Sequence, residues 1–302
     1  MKELVIISGK GGTGKTSVTA AFAALAENAV VADCDVDAAD LHLVLEPQVL
    51  SRHDFSGGSD ATVRPEKCTG CGTCMRLCRF DAVIMKQGIA RIDTIACEGC
   101  GVCSHFCPEQ AIDFSPAVNG QWFLSATCHG PMVHARLGIA QENSGKLVSL
   151  IRNQAKQLAK EENRDLILID GSPGIGCPVI ASMTGADQVL AITEPTMSGR
   201  HDLERVADLA EHFGTPLAVC INKWDLNPSI SKLIENDARQ RNLPVLGHIR
   251  YDRTVTEAQI RRRTIVEHTD AGAADDVKGL WQAVCGLLSI PQNNQKDAVP
   301  KS

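Results

Sequence analysis

Residues 3–16 read ELVIISGKGGTGKT, an apolar run that ends in a glycine-rich loop. The loop fits the pattern G-x-x-x-x-G-K-[ST], and the alanine-rich segment Lys15–Glu27 that follows is expected to be a helix. A strand, a tight glycine turn and a helix begin a βαβ unit, which implies a parallel sheet. Backbone N–H groups in such a loop surround phosphate, and the helix N-terminus adds a favourable dipole. The stretch therefore predicts a nucleotide-binding site.

The side chains of this loop extend the same prediction. Lys15 is placed to reach the β- and γ-phosphates, and the hydroxyl of Thr16 is placed to ligate Mg²⁺. The residues expected to contact the nucleotide are Gly9, Lys10, Gly11, Gly12, Thr13, Gly14, Lys15 and Thr16.

Apolar segments alternate with helical ones along the rest of the chain. Helices are expected at Asp202–Phe213 and Ser229–Arg241. Buried strands are expected at Glu3–Ser8, Ala29–Asp33, Leu166–Asp170, Gln188–Thr193, Pro216–Ile221 and Pro244–Ile249. The alternation predicts an α/β fold with a doubly wound, mostly parallel sheet that has helices on both faces.

Eight of the thirteen cysteines fall between residues 68 and 107, where the spacing C-x₂-C-x₂-C-x₃-C occurs twice. In a chain without an export signal, such spacing indicates metal ligation rather than disulfides. Bacterial two-cluster ferredoxins have this spacing, and in them the fourth cysteine of each run ligates the other cluster. The expected ligands of two 4Fe–4S clusters are Cys68, Cys71, Cys74 and Cys107 for one, and Cys97, Cys100, Cys103 and Cys78 for the other.

Structural zinc is the alternative for the same cysteines, since C-x₂-C pairs also bind zinc. Zinc sites usually space two pairs widely and do not need the tripled repeat, which favours the clusters. Pro108 follows the second run as the ferredoxin pattern expects, whereas Arg79 stands where the first run would have proline. Proline is not a ligand, so the ligand sets are unaffected, and the charge of Arg79 is expected to alter the potential of one cluster.

Composition divides the chain into three parts. Residues 1–62 and 118–290 carry the α/β pattern, residues 63–117 form a small α+β ferredoxin-like insertion, and residues 291–302 are a polar tail. The Gly/Ser-rich stretch 51–65 is expected to be a linker. The net charge of −6 disfavours a nucleic-acid-binding surface, and no stretch approaches the roughly 20 apolar residues that span a bilayer. We therefore expect a cytoplasmic protein without membrane attachment.

Lys10 gives the loop the form Lys-Gly-Gly-x-Gly-Lys-Thr, which resembles the deviant Walker A motif of the MinD, ParA, Mrp and nitrogenase iron-protein superfamily. The resemblance is to MinD-type ATPases with an inserted ferredoxin domain, and it covers nearly the whole chain. It implies Mg²⁺-dependent ATP hydrolysis by a homodimer that forms when ATP binds. It also implies that Lys10 reaches across the interface to the partner's nucleotide and neutralises charge on the phosphates.

The resemblance assigns further roles outside the loop. Asp35 resembles the switch I residue that orients the attacking water, and Asp170 resembles the Walker B carboxylate that holds Mg²⁺ through water. Gly174 would turn its N–H toward the γ-phosphate, and Asn222 stands where the superfamily contacts the base. The sequence NKWD that begins at Asn222 also resembles the NKxD motif by which many GTPases read guanine, but the other motifs favour ATP.

Gly138–Val148 also matches the family. Two further matching segments, Thr193–Leu203 and Ile249–Asp252, receive no role. Cys177 lies near the position of a cluster-ligating cysteine of the nitrogenase iron protein. With Cys128 it suggests a third cluster shared by two subunits, although two non-ligand cysteines is the favoured interpretation.

Three functions fit these patterns. The first is an ATPase in which closure of the homodimer gates electron transfer from the cluster module to a redox partner. The second is a positioning or assembly switch like MinD or ParA, with structural or redox-sensing clusters and an assembly protein as partner. The third is an iron–sulfur scaffold or carrier like Mrp, against which four cysteines per cluster argue by analogy.

Overall fold

The computed structural model describes residues 1–94, 96–138 and 144–290. The tail 291–302 and residues 139–143 of the matching segment Gly138–Val148 lie outside the described residues. In chain order the strands are β1 (Lys2–Ser8), β2 (Ala29–Asp33), β3 (Gln48–Phe55), β4 (Gly58–Val63), β5 (Val83–Lys86), β6 (Ile89–Ile92), β7 (Ile112–Ala117), β8 (Gly120–Thr127), β9 (Gly130–Leu137), β10 (Leu166–Pro173), β11 (Gln188–Thr193), β12 (Leu217–Asn222) and β13 (Val245–Ile249). The helices are α1 (Lys15–Leu25), α2 (Leu41–Leu45), α3 (Thr73–Leu77), α4 (Val102–His105), α5 (Ser144–Glu161), α6 (Cys177–Met183), α7 (Met197–His212), α8 (Pro228–Gln240), α9 (Thr254–Ile260), α10 (Ile265–His268) and α11 (Ala273–Leu288).

Among the described residues, nine strands form the large sheet in the order β13-β12-β11-β1-β10-β2-β9-β8-β3. From β13 to β9 neighbouring strands are parallel, whereas β8 is antiparallel to both β9 and β3. The predicted α/β fold with a mostly parallel sheet is confirmed. The six strands expected from sequence are all present, with ends that differ by a few residues.

The core lies on both faces of this sheet, which explains why its central strands are continuous apolar runs. Val5 and Ile7 of β1 pack on one face with α5, α6, α7 and α8. Leu4 and Ile6 pack on the other face with α1, α2, α10 and α11. Successive side chains of a strand point to opposite faces, so the central run of β1, Leu4 to Ile7, must be apolar throughout to fill both layers.

Helix starts are set by caps that the apolar pattern does not reveal. Helix α7 was expected from Asp202 but begins at Met197, because the side chain of Thr196 accepts a hydrogen bond from the N–H of Gly199 at 2.9 Å. Helix α8, expected at Ser229–Arg241, begins one residue earlier, behind Asn227 as its cap.

Residues 51–65 were expected to be a linker, and this expectation is wrong. Strand β3 pairs with β8 at the edge of the large sheet, and β4 pairs with β7 in a separate two-stranded sheet. We call the cysteine-rich part together with this small sheet the cysteine module (residues 58–117). Its second small sheet is the hairpin of β5 and β6.

The two chain segments between the large sheet and the cysteine module form a neck, residues 55–58 and 117–120. Buried Asn119 closes it, because its side-chain oxygen accepts from the N–H groups of Gly57 at 3.0 Å and Gly58 at 2.9 Å. The N–H of Asn119 donates to the carbonyl of Phe55 at 2.8 Å. The strands that flank the neck are also paired, β3 with β8 in the large sheet and β4 with β7 in the module. The module is therefore attached through two hydrogen-bonded chain segments.

Within the described residues, none of the helices combines the length and the apolar character that crossing a bilayer requires.

A buried ion pair joins α5 to the first strand. Arg152 donates to Glu3 at 3.1 Å and to the carbonyls of Ala181 at 2.7 Å and Thr184 at 3.0 Å. Lys156 lies 2.9 Å from the same carboxylate of Glu3.

We expect Arg152→Met to lower the free energy of unfolding by roughly 3 kcal/mol, because it leaves a buried carboxylate with a single partner. The control Arg164→Met breaks an exposed pair with Glu162 and should cost less than about 1 kcal/mol. Urea denaturation of both variants measures the difference, and equal losses would contradict the prediction.

Candidate functional site

The glycine-rich loop lies where the fold provides a crevice. It connects the end of β1 to α1, and β1 stands between β10 and β11 in the middle of the sheet. The strand that follows β1 in the chain, β2, lies on the β10 side of β1, whereas β11 and the strand that follows it, β12, lie on the opposite side of β1. Open α/β sheets bind ligands at such a switch point, outside the carboxyl ends of the strands.

Glycine is required at two positions of the loop because side chains of other elements lie directly against its backbone. Gly14 has φ of 92°, and a Cβ there would lie 2.4 Å from the side-chain nitrogen of Asn222. A Cβ on Gly9 would lie 2.3 Å from the Cβ of Asp202. The loop therefore fits against β12 and α7 only with glycine at both positions.

Lys15 lies in a buried cluster of carboxylates. Its ammonium is 3.0 Å from Asp170 and 3.2 Å from Asp35, and its side chain is almost fully buried. Burial alone would lower the pKa of Lys15, but the negative charges of Asp170 and Asp35 outweigh it and raise the pKa above its ordinary value. Lys15 is therefore a cation at neutral pH.

The carboxylate of Asp170 organises the start of α1. It accepts hydrogen bonds from Thr16 at 2.9 Å and from Thr19 at 2.8 Å. A hydroxyl and a carboxylate side by side are the hard oxygen donors that Mg²⁺ prefers, so Thr16 and Asp170 fit the expected ion. Thr19 was not singled out from sequence, although its position one helical turn after Lys15 is a usable signal.

Asp33 is a second residue that the sequence reasoning did not assign. It is fully buried, and one carboxylate oxygen accepts from the N–H of Asp35 at 3.1 Å while the other has no partner. Burial, with the charge of Asp170 adding to it, raises the pKa of Asp33 well above its usual range. Burial likewise raises the pKa of Asp35, against the opposing charge of Lys15. A divalent cation nearby would stabilise the ionised forms of both groups.

Two groups expected to meet the phosphates have partners within the chain. Lys10 lies 2.5 Å from Glu194 and donates to Ser198 at 3.0 Å. The N–H of Gly174, at a φ of 91°, donates to the carbonyl of Ser8 at 2.8 Å. Lys223 also lies 3.4 Å from Glu194, so this glutamate, which sequence reasoning left without a role, holds two lysines next to the loop.

The segment that begins at Asn222 packs against the loop backbone. The side chain of Asn222 donates to the carbonyl of Thr13 at 2.7 Å, and Lys223 donates to the carbonyl of Gly12 at 3.1 Å. Asp225, the residue that would read guanine in an NKxD motif, accepts from the N–H of Tyr251 at 2.7 Å. Asn222 thus supports the loop, and Asp225 already has a backbone partner.

The eight module cysteines line two separate small cavities. All are free thiols. The structure brings them together in the two sets expected from sequence: Cys68, Cys71, Cys74 and Cys107 around the first cavity, and Cys78, Cys97, Cys100 and Cys103 around the second. Four thiols around each apolar cavity fit the donor set of a cluster.

The remaining cysteines fall into two groups. Cys34, Cys220 and Cys285 are buried in the core, as expected. Cys177 begins α6 beyond the carboxyl end of β10, whereas Cys128 lies in the turn between β8 and β9, beside the start of β2. Within one chain, the structure therefore places Cys128 and Cys177 at opposite ends of the parallel strands.

Comparison with known proteins agrees with this geometry. The family model of the CobQ/CobB/MinD/ParA nucleotide binding domain matches residues 4–265. The uncharacterized protein MJ0578 of Methanocaldococcus jannaschii is 33% identical over 234 residues, which cover 74% of this chain and 79% of the relative.

Solved structures share the fold over nearly the full length. A chain of the MinC:MinD cell division protein complex of Aquifex aeolicus has a TM-score of 0.58 at 18% identity, over 97% of this chain and 99% of that chain. The septum site-determining protein MinD of Pyrococcus horikoshii, complexed with Mg-ADP, has a TM-score of 0.56 at 17% identity, over 96% and 98%. At these identities the likeness concerns the fold alone, and it is the match over residues 4–265 that decides the family. The chain belongs to the CobQ/CobB/MinD/ParA nucleotide-binding domain family.

Proposed function

We propose that this protein is a Mg²⁺-dependent ATPase whose nucleotide-driven homodimerisation controls electron transfer from a two-cluster iron–sulfur module. The proposal rests mainly on one observation, a continuous set of contacts between the nucleotide loop and the neck of the cysteine module. Membership in the family and the donor sets of the two cavities support its two halves separately.

At the nucleotide, the residues of the loop would bind and orient the phosphates. Lys15 would exchange Asp35 for the β- and γ-phosphates, and Thr16 with Asp170 would hold Mg²⁺. Asp35, then released from Lys15, would orient the attacking water. Lys10 would leave Glu194 and neutralise charge on the nucleotide of the partner subunit.

The set of contacts from the nucleotide loop to the neck begins at the hydrogen bond from the N–H of Gly174 to the carbonyl of Ser8. Three residues later Cys177 starts α6, and it packs so closely on α5 that a Cβ on Gly145 would lie 3.2 Å from the Cβ of Cys177. The next residue, Lys146, donates to the carbonyl of Gly57 in the neck at 2.9 Å. A shift of the Gly174 loop toward a γ-phosphate would therefore move the start of α6, and through α5 the neck.

In the cysteine module, the two sets of four thiols would hold 4Fe–4S clusters. When bound, these clusters supply one-electron transfer. Coupling through the neck would then alter how the module is presented to a redox protein.

Glu194→Gln is expected to favour dimerisation, because it removes the charge that holds Lys10 within its own subunit. We expect the ATP concentration for half-maximal dimer formation to fall by about fivefold, the equivalent of about 1 kcal/mol for one ion pair. Analytical ultracentrifugation across an ATP series measures it. Lys10→Ala should abolish the dimer, and Glu204→Gln, which changes an exposed glutamate on helix α7, should leave it unchanged. A Glu194→Gln variant that needs more ATP than the wild type would refute this role.

Cys74→Ser and Cys103→Ser are each expected to lose about half of the iron of the anaerobically reconstituted protein, because each removes a ligand from a different cavity. Cys177→Ser is the matched control and should retain all of it. Iron and acid-labile sulfide analysis gives the counts. Zinc in place of iron after anaerobic purification, or loss of iron from Cys177→Ser, would contradict the assignment.

Lys146→Met tests the coupling itself. The variant should keep its iron and hydrolyse ATP within about twofold of the wild type, because Lys146 touches neither site. The dithionite-reduced wild type should pass electrons to a one-electron acceptor dye faster with ATP than without, and Lys146→Met should lose that difference. Lys160→Met, on the same helix α5 and exposed, is the control. If the wild-type rate does not respond to ATP while the protein still dimerises, the electron-transfer half of the proposal fails and an assembly switch is left.

A further inference from the structure

Three side chains of the types that commonly ligate metal ions converge at the amino-terminal edge of the sheet. Cys128 and His129 form the turn between β8 and β9, and Glu267 lies on α10. One ligand atom from each, the thiol sulfur, a ring nitrogen and a carboxylate oxygen, lies within 4.8 Å of the other two. Nε2 of His129 is 3.2 Å from Oε1 of Glu267.

The carboxylate is held so that only one oxygen is free for a ligand. Oε2 of Glu267 accepts from the N–H of Thr264 at 2.9 Å and from its hydroxyl at 2.7 Å, in a capping box that starts α10. Oε1 therefore faces His129. Outer hydrogen bonds of this kind orient ligands at metal sites.

The turn that carries the other two ligands is also fixed. The hydroxyl of Thr127 donates to the carbonyl of Gly130 at 2.7 Å and accepts from the N–H of His129 at 3.1 Å. Gly130 has φ of 118°, and a Cβ there would lie 2.8 Å from the carbonyl oxygen of Ala29. The turn is thus held against the beginning of β2.

The group of Cys128, His129 and Glu267 lies apart from both sites described above. The nucleotide loop follows the carboxyl end of β1, whereas Ala29 starts β2 at the opposite edge of the same parallel sheet. The module cysteines line other cavities.

The donor set selects the class of ion. A thiolate and an imidazole disfavour Mg²⁺ and Ca²⁺, which take oxygen ligands, and suit Zn²⁺ and its neighbours among the transition metals. Three protein ligands leave one tetrahedral position open, as in zinc sites that bind a water or a substrate. Cys128 is exposed, so that position can be reached from solvent.

We propose that Cys128, His129 and Glu267 form a zinc-type site with water as the fourth ligand. Strand β8 follows the last module strand β7 after two residues, and α10 shares a buried core with α1 through Ile265 and Val18. The ion would therefore join the hairpin that leaves the cysteine module to the layer that carries the nucleotide loop. This inference does not depend on the proposed ATPase cycle or on the iron–sulfur clusters.

Co²⁺ titration of the anaerobically reconstituted full-length protein tests the site, because thiolate-bound Co²⁺ absorbs in the near ultraviolet. Wild type should take up one equivalent in addition to its iron, with micromolar or tighter affinity, and release it to Zn²⁺. Cys128→Ser should lose the thiolate absorption, and His129→Ala and Glu267→Gln should each weaken binding at least tenfold. Cys177→Ser, which removes an exposed cysteine at the other edge, should behave as wild type.

Equal far-ultraviolet circular dichroism and equal thermal unfolding midpoints in all four variants show that they fold. Unchanged Co²⁺ absorption in Cys128→Ser would overturn the proposal. Binding only at millimolar Co²⁺, or binding that no variant alters, would also overturn it, since both mean an adventitious ion only.

Discussion

The buried charge network around Lys15 is the interaction on which the rest of this structure depends. An ammonium ion is tolerated in the interior only when it is paired, and here Asp35 and Asp170 both lie within hydrogen-bond reach of it. Those two carboxylates and Lys15 come from the loop after β2, from β10 and from the start of α1. The network therefore fixes the central strands and the glycine loop relative to one another, and any phosphate that takes Lys15 from its carboxylates disturbs all three elements together.

The attachment of the cysteine module follows from the same sheet. Strands β3 and β8 are antiparallel neighbours at its edge, so the two chain ends that enter and leave the module are already adjacent. An insertion between adjacent strands does not require the surrounding fold to change, which is why such sites tolerate whole domains. Because both neck segments are paired and α5 touches one of them through Lys146, the module is joined to the helical layer and not only to the sheet edge.

The central strands and the two cysteine sets could be predicted from sequence because, for each of them, a single chemical requirement determines which residues must be present. A strand buried on both faces must be apolar throughout, and a cluster needs cysteines at defined spacing. Strands β3, β8 and β9, at one side of the sheet, were missed because strands that are incompletely covered carry a weaker apolar pattern; Gln121 and Phe123 of β8, for example, are both only half-buried. The linker expected at 51–65 failed for a related reason, since Asn119, more than 60 positions away, provides the hydrogen-bond acceptor that orders Gly57 and Gly58.

The candidate site shows the same division. Lys10, Lys15 and Asp170 belong to motifs and could be proposed from sequence, whereas Glu194 and Asp33 have partners that only the fold brings close. Their presence changes the energetics of the loop. Lys10, Lys15 and the N–H of Gly174 all have acceptors within the chain, so a phosphate would replace existing hydrogen bonds and ion pairs without first exposing unpaired buried groups. Exchange between two satisfied arrangements costs little, which is the condition under which the binding energy of a single γ-phosphate can decide between them.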